Sequence, residues 1–106
     1  MYQKLLTAEI KKKLPKLGTY DGKDPATVPI IVKFFSPWMG WAWYATEGEE
    51  IDGQWIFYGY VRGIENEYGE FSLQELEETK RGDLPLVERD MHFGSHMLSE
   101  AIEKRI

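Results

Sequence analysis

The chain has 106 residues, a formal charge of −5 at pH 7, and four Trp, five Phe and six Tyr but no cysteine. The missing cysteine excludes disulfides, thiolate zinc sites and cysteine nucleophiles, and the length fits one domain, residues 1–106, whose aromatic side chains supply a core without a metal or covalent staple. The opening Met-Tyr-Gln-Lys-Leu-Leu lacks an apolar stretch of signal-peptide length, and no run approaches the roughly 18 apolar residues of a membrane span, so a soluble cytoplasmic protein with no membrane partner is expected.

Thr7 is placed to cap a helix over Ala8 to Leu14, with Glu9 in the first turn and Pro15 and Gly18 as stops. Leu6, Ile10, Leu14 and Leu17 recur at helical spacing and form its apolar stripe. Gly18 to Pro29 has the composition of a loop. From Ile30 the period becomes two, which predicts a strand to Phe35 ended by Ser36-Pro37 and a second strand over Trp41 to Glu47. An acidic loop, Gly48 to Gly53, leads to a third strand from Gln54 to Gly63, and a loop over Asn66 to Gly69 leads to a short fourth strand at Glu70-Phe71. Ser72-Leu-Gln-Glu75 matches a capping box and predicts a helix to about Lys80. An extended piece from Leu84 to Phe93 and a final helix over Met97 to Lys104 complete the chain. The fold class expected is α+β: an antiparallel meander of about four strands with an N-terminal helix, a capped helix near 73–80 and a C-terminal helix.

Charge is segregated along the chain. Between Glu47 and Glu78 ten acids face one basic residue, Arg62, giving −9, so the rest of the chain sums to +4, much of it in lysines before Phe34. The plain reading of this run is a solvated rim of loops plus a capped helix, because charge runs commonly serve solubility. The functional reading is a carboxylate array that imitates phosphates and docks on a cationic surface, with Glu47, Glu49, Glu50, Asp52, Glu65, Glu67 and Glu70 as contacts. Reversing Glu47, Glu49, Glu50 and Asp52 to Lys is expected to leave the fold intact. A competing reading makes Lys33, Tyr44, Tyr58, Tyr60 and Arg62 an aromatic and basic sheet face that stacks single-stranded bases. The flanking acids oppose a phosphate backbone, and packing of these tyrosines under a helix is the favoured account, so direct nucleic-acid binding is not expected.

His92 and His96 have zinc-ligand spacing, with Glu88 and Asp90 nearby, but Gly94 interrupts a helix there and the pair reads mainly as structural or surface histidines. Glu88-Arg89-Asp90 reads as exposed ion pairs rather than an acid–base set. No hydrolase order, phosphate-cradling loop or dinucleotide fingerprint is present, so no enzyme activity, metal or cofactor is expected.

Strings spread over Leu5 to about Leu98, among them Val32-Lys33-Phe34-Phe35-Ser36-Pro37, Trp41-Ala42-Trp43-Tyr44-Ala45-Thr46-Glu47, Gly69-Glu70-Phe71-Ser72-Leu73-Gln74-Glu75-Leu76 and Leu84-Pro85-Leu86-Val87-Glu88-Arg89-Asp90, resemble a domain-of-unknown-function family encoded on bacterial plasmids, phages and integrative elements. A subset of that family resembles type II anti-CRISPR proteins, inhibitors of Cas9, and this chain is similar to that subset in length and acidity. The resemblance implies a non-catalytic partner of Cas9 or the Cas9–guide RNA complex and carries over no catalytic residue. The alternative is a nucleic-acid-associated accessory protein of a mobile element.

Overall fold

An Asp-Gly turn organises the sheet. Asp52 and Gly53 both take positive φ, 51° and 80°, as a two-residue type I′ connection requires. Strand β2 (Ala42–Ile51) therefore folds straight back as β3 (Gln54–Arg62), pairing from Ile51↔Gln54 to Ala42↔Arg62 with one bulge between Ala45 and Glu47. The structure is a computed structural model describing residues 3–106. The expected acidic loop over Gly48 to Gly53 is thus mostly strand, and only Asp52 and Gly53 turn.

Strand β1 (Val32–Phe35) pairs with the other side of β2, and β4 (Asn66–Ser72) pairs along β3 from Arg62↔Asn66 to Ile56↔Ser72. The loop expected over Asn66 to Gly69 is therefore part of a seven-residue strand. After β4 the chain forms α2 (Leu73–Glu78), a small hairpin of β5 (Lys80–Arg81) and β6 (Leu84–Pro85), and β7 (Glu88–Arg89), which returns to the far edge beside β1. The sheet order is β4-β3-β2-β1-β7, every pair antiparallel. With short helices on both faces this is the α+β class expected, with a fifth strand that the sequence pattern left inside an extended piece.

Both faces of the sheet are covered, which explains why the strands lack a cleanly polar side. Helix α1 (Ala8–Lys13) buries none of its own residues, but its flanks send Leu6 and Leu14 onto Phe34, Phe57 and Phe71, and α2 adds Leu76. Phe57 lies 5.5 Å from Phe34 and 5.4 Å from Phe71, centroid to centroid. Burying each such side chain contributes roughly 1.5–3 kcal/mol. Ile10 and Leu17 of the expected stripe are only half-buried. On the opposite face α3 (Leu98–Glu103) packs Leu98 and Ala101 on Tyr44, Tyr60, Val28 and Ile30.

Caps set the helix ends. Thr7 Oγ1 accepts from Ile10 N at 3.2 Å, and Ser72 Oγ accepts from Glu75 N at 3.0 Å as the capping pattern requires. At α3 the reaching acid is Glu100, whose Oε2 accepts from Met97 N at 2.6 Å.

Candidate interaction surface

Register decides what the acidic residues can do. Glu47 is 2% exposed and is an internal staple: Oε1 accepts from Gly18 N at 2.8 Å and Oε2 from Tyr20 N at 2.7 Å. Half-buried Glu49 repeats the pattern, accepting from Leu17 N at 2.9 Å. Together they tie the turn after α1 to the second half of β2, where β1 has already ended and Pro15 O takes the bond from Gly48 N instead. Glu47 is therefore corrected from contact residue to structural residue, and the expectation that its reversal leaves the fold intact is withdrawn. A lysine there would set an ammonium against the Gly18 and Tyr20 N–H donors at a position only 2% exposed, leaving all three without an acceptor.

The remaining acids are exposed but divided. Glu50 and Asp52 lie at the β2–β3 turn, whereas Glu65 lies in the β3–β4 connection at the other end of β3, about 30 Å away along nine residues of strand. Glu67 stands opposite Val61 and Glu70 opposite Tyr58, residues of odd and even position on β3, so the two carboxylates project from opposite faces. The seven acids do not converge in one patch. What the fold does bring together is Glu65, Glu67 and Glu70 along a single strand, β4, and its approach.

The aromatic and basic face is occupied by the chain's own C-terminal segment. Tyr44 is fully buried and Tyr60 nearly so. Tyr44 Oη and Lys33 Nζ donate to Ile106 O at 2.9 and 2.8 Å, and Arg62 donates to Ala101 O through Nε at 2.9 Å and Nη2 at 2.6 Å. Lys33 also pairs with Asp90 at 3.4 Å. Burial pushes the Tyr44 hydroxyl pKa above its ordinary value despite the opposing pull of Arg62. As a base-stacking platform, Lys33, Tyr44, Tyr60 and Arg62 are therefore corrected to helix-covered packing. Tyr58 remains half-buried and stacks on Tyr68, centroids 6.3 Å apart and planes within 6°, with burial first and the Tyr68 hydroxyl second raising its pKa.

His96 Nδ1 lies 3.2 Å from Glu100 Oε1, and His92 is exposed with its N–H bonded to Asp90 Oδ1. Among the described residues no group of three or more His, Asp or Glu is arranged to hold a metal ion. Arg89 of the charged triplet donates to the carbonyls of Lys4 and Leu5. Sequence reasoning missed a groove of about 550 Å³ beside Trp38, which is 66% exposed, with Leu5, Leu76, Leu84 and Val87 in its wall. Its signal was Pro37-Trp38-Met39-Gly40, a turn carrying two large apolar residues at its tip. The rim holds Lys4 and Lys80 beside Glu77 and Glu88, so it selects neither sign of charge.

The two edges of the sheet differ. At one, β7 is only two residues long, and Arg89 N bonds to the Gln3 side chain, so the N-terminal segment covers it. At the other, β4 has no hydrogen bond to any later segment along Asn66 to Glu70 among the described residues, and all of these but Gly69 are exposed. No helix among the described residues is long and apolar enough to cross a membrane.

No curated protein and no solved structure matches the chain significantly. Residues 5–104 match the profile of a family described as protein of unknown function (DUF2958), and with nearly its whole length inside that match the chain belongs to this family.

Proposed function

We propose that this protein is a non-catalytic inhibitor that docks its acidic β4 side on a cationic surface of a type II Cas9 effector. The observation that carries the docking surface is the row Glu65, Glu67 and Glu70 on an uncovered sheet edge, all exposed and none in an ion pair among the described residues. Unpaired exposed carboxylates keep their attraction for a partner, whereas carboxylates already bonded inside the fold do not. Cas9 as the partner rests on the similarity of the chain, in length and acidity, to a subset of domains that resembles type II anti-CRISPR proteins, and on the positively charged channels in which such effectors hold nucleic acid. Glu50 and Asp52 at the far turn form a second contact for a partner broad enough to span the sheet.

The test is a Cas9 cleavage assay with guide RNA, run beside mobility shifts of the protein with RNA and single-stranded DNA. The wild type should inhibit cleavage, less so as salt shortens the Debye length from about 10 Å at 0.1 M toward 3 Å at 1 M. The E65K/E67K/E70K variant should lose inhibition, and neither nucleic acid should shift. Absence of inhibition by the wild type would remove Cas9 as the partner. Full inhibition by the triple variant would remove this edge as the docking surface.

A further inference from the structure

We infer that β4 takes up an extended, lysine- or arginine-bearing segment of a partner protein as an additional strand of the sheet. The argument starts from the phase of the ladder. Ile51 and Gln54 close a two-residue turn and so exchange both of their main-chain bonds. Alternating from that pair, Gln54, Ile56 and Tyr58 turn their N–H and C=O groups toward β2, and the bulge at Ala45/Glu47 carries the same phase on to Tyr60 and Arg62. Two observed bonds agree with this phase: Gly48 N to Pro15 O and Ile31 N to Ala45 O, each 2.9 Å, show that Gly48 and Ala45 of β2 point away from β3. Phe57, Gly59 and Val61 therefore bond to Phe71, Gly69 and Glu67, which leaves the main-chain groups of Asn66, Tyr68 and Glu70 pointing outward. No backbone group of another segment meets them among the described residues.

A row of unpaired N–H and C=O groups at two-residue intervals is a template for another strand. Gly69, whose missing Cβ would have nothing within 4 Å, keeps the approach clear on one face. The side chains select the occupant. Glu67 on one face and Glu70 on the other each present a carboxylate to a cross-strand neighbour, so an incoming strand gains from basic residues on either face. A second copy of this chain gains nothing of the kind. In the antiparallel registers that match outward groups, the two Glu67 side chains meet directly when the pairing centres on Glu67, Glu67 falls diagonal to its own copy when it centres on Tyr68, Glu70 falls diagonal to its copy when it centres on Gly69, and the two Glu70 side chains meet directly when it centres on Glu70. Like charges so placed oppose pairing. The occupant is therefore a basic, extended segment of a different protein.

This inference deepens the docking role proposed for the same edge, and its test needs no Cas9. The probe is a seven-residue peptide alternating lysine with valine and threonine, titrated to millimolar concentration into the full chain, with amide hydrogen exchange read residue by residue. Exchange at Asn66, Tyr68 and Glu70 should slow at least tenfold, and a peptide with glutamate in place of lysine should have no effect. Glu70→Pro removes one outward N–H without touching the β3 ladder and should abolish the slowing, while Glu70→Gln, which loses only charge, should weaken it severalfold. Unchanged exchange at these three amides, or slowing that tracks protein concentration without peptide and so reports a second copy, would overturn strand addition. The wild-type exchange result decides the matter even if the proline variant fails to fold. Slowed exchange without Cas9 inhibition would leave the strand-addition site standing and remove Cas9, and inhibition without slowed exchange would do the reverse.

Discussion

Replacing Glu47 should unfold far more than its place in an acidic run suggests. Its two carboxylate oxygens hold Gly18 N and Tyr20 N at 2.8 and 2.7 Å, and the side chain is sealed from solvent. Hydrogen bonds to a charged group are worth about 1.5–3 kcal/mol each, so Glu47→Ala should cost about 3–5 kcal/mol, since the freed turn regains some bonding to water. The unfolding entropy of a domain this size, about 2.1 cal/mol/K per residue, converts that loss to a fall in Tm of about 13–22 °C. Glu47→Gln keeps one acceptor but points an amide N–H₂ at a backbone N–H, and should recover less than half of the loss. Glu50→Ala is the control, because Glu50 is exposed and unpaired among the described residues, and surface changes of that kind stay within about 0.5 kcal/mol. Thermal melts followed by circular dichroism measure all three. A Glu47→Ala melt within 5 °C of the wild type, or one no lower than that of Glu50→Ala, would refute the staple.

Gly59→Ala should destabilise by about 3 kcal/mol in urea unfolding, because a Cβ at that position would lie 1.8 Å from Tyr44 O, backbone that the sheet holds in place. Glu100 has its pKa lowered first by Met97 N–H and then by His96, so its stabilisation is present above the unfolded pKa and lost as pH falls through the folded one. Glu100→Gln should thus be less stable than the wild type at neutral pH, and the two urea curves should converge in acid. The Tyr44 pKa is raised, chiefly by burial, so the stability linked to its neutral hydroxyl is complete below the unfolded pKa and lost as pH rises through the folded value. Tyr44→Phe should cost about 1 kcal/mol near neutrality and should lose less stability than the wild type in strong alkali, read by the same unfolding assay.

Local chemistry was legible wherever it is self-contained. Thr7 and Ser72 cap the helices their spacing announces, because a cap needs only the next three residues. The β2–β3 hairpin was equally local, since Asp52-Gly53 is a strong turn signal, yet the surrounding acids made the whole of Gly48 to Gly53 resemble a loop. Strand β4 was obscured for a different reason: Glu67, Gly69 and Glu70 are poor strand formers, and it is pairing along β3 that holds them extended. The roles of Glu47 and Tyr44 are not local at all. Glu47 is fixed by a turn nearly thirty positions earlier, and Tyr44 by a residue 62 positions later. Periodicity could show that the tyrosine face was amphipathic, but not that α3 would cover it.

The fold also separates a charge run in sequence from a charged surface in space. Glu47 and Glu49 bond the turn after α1, and Glu100 caps α3, so these carboxylates have their partners already. The acids left over lie where a sheet is otherwise vulnerable. An edge whose main-chain groups are open along Asn66 to Glu70 invites pairing with its own copies, and natural edges block this with charge. Glu67 and Glu70, one on each face, provide that block whichever way a second β4 approaches. The same placement has a converse, because a side chain that repels an identical strand attracts one of opposite charge. Protection against self-association and selection of a basic partner are thus a single electrostatic property of β4. Neutralising Glu67 and Glu70 together should therefore weaken partner binding and raise the tendency to dimerise in the same variant.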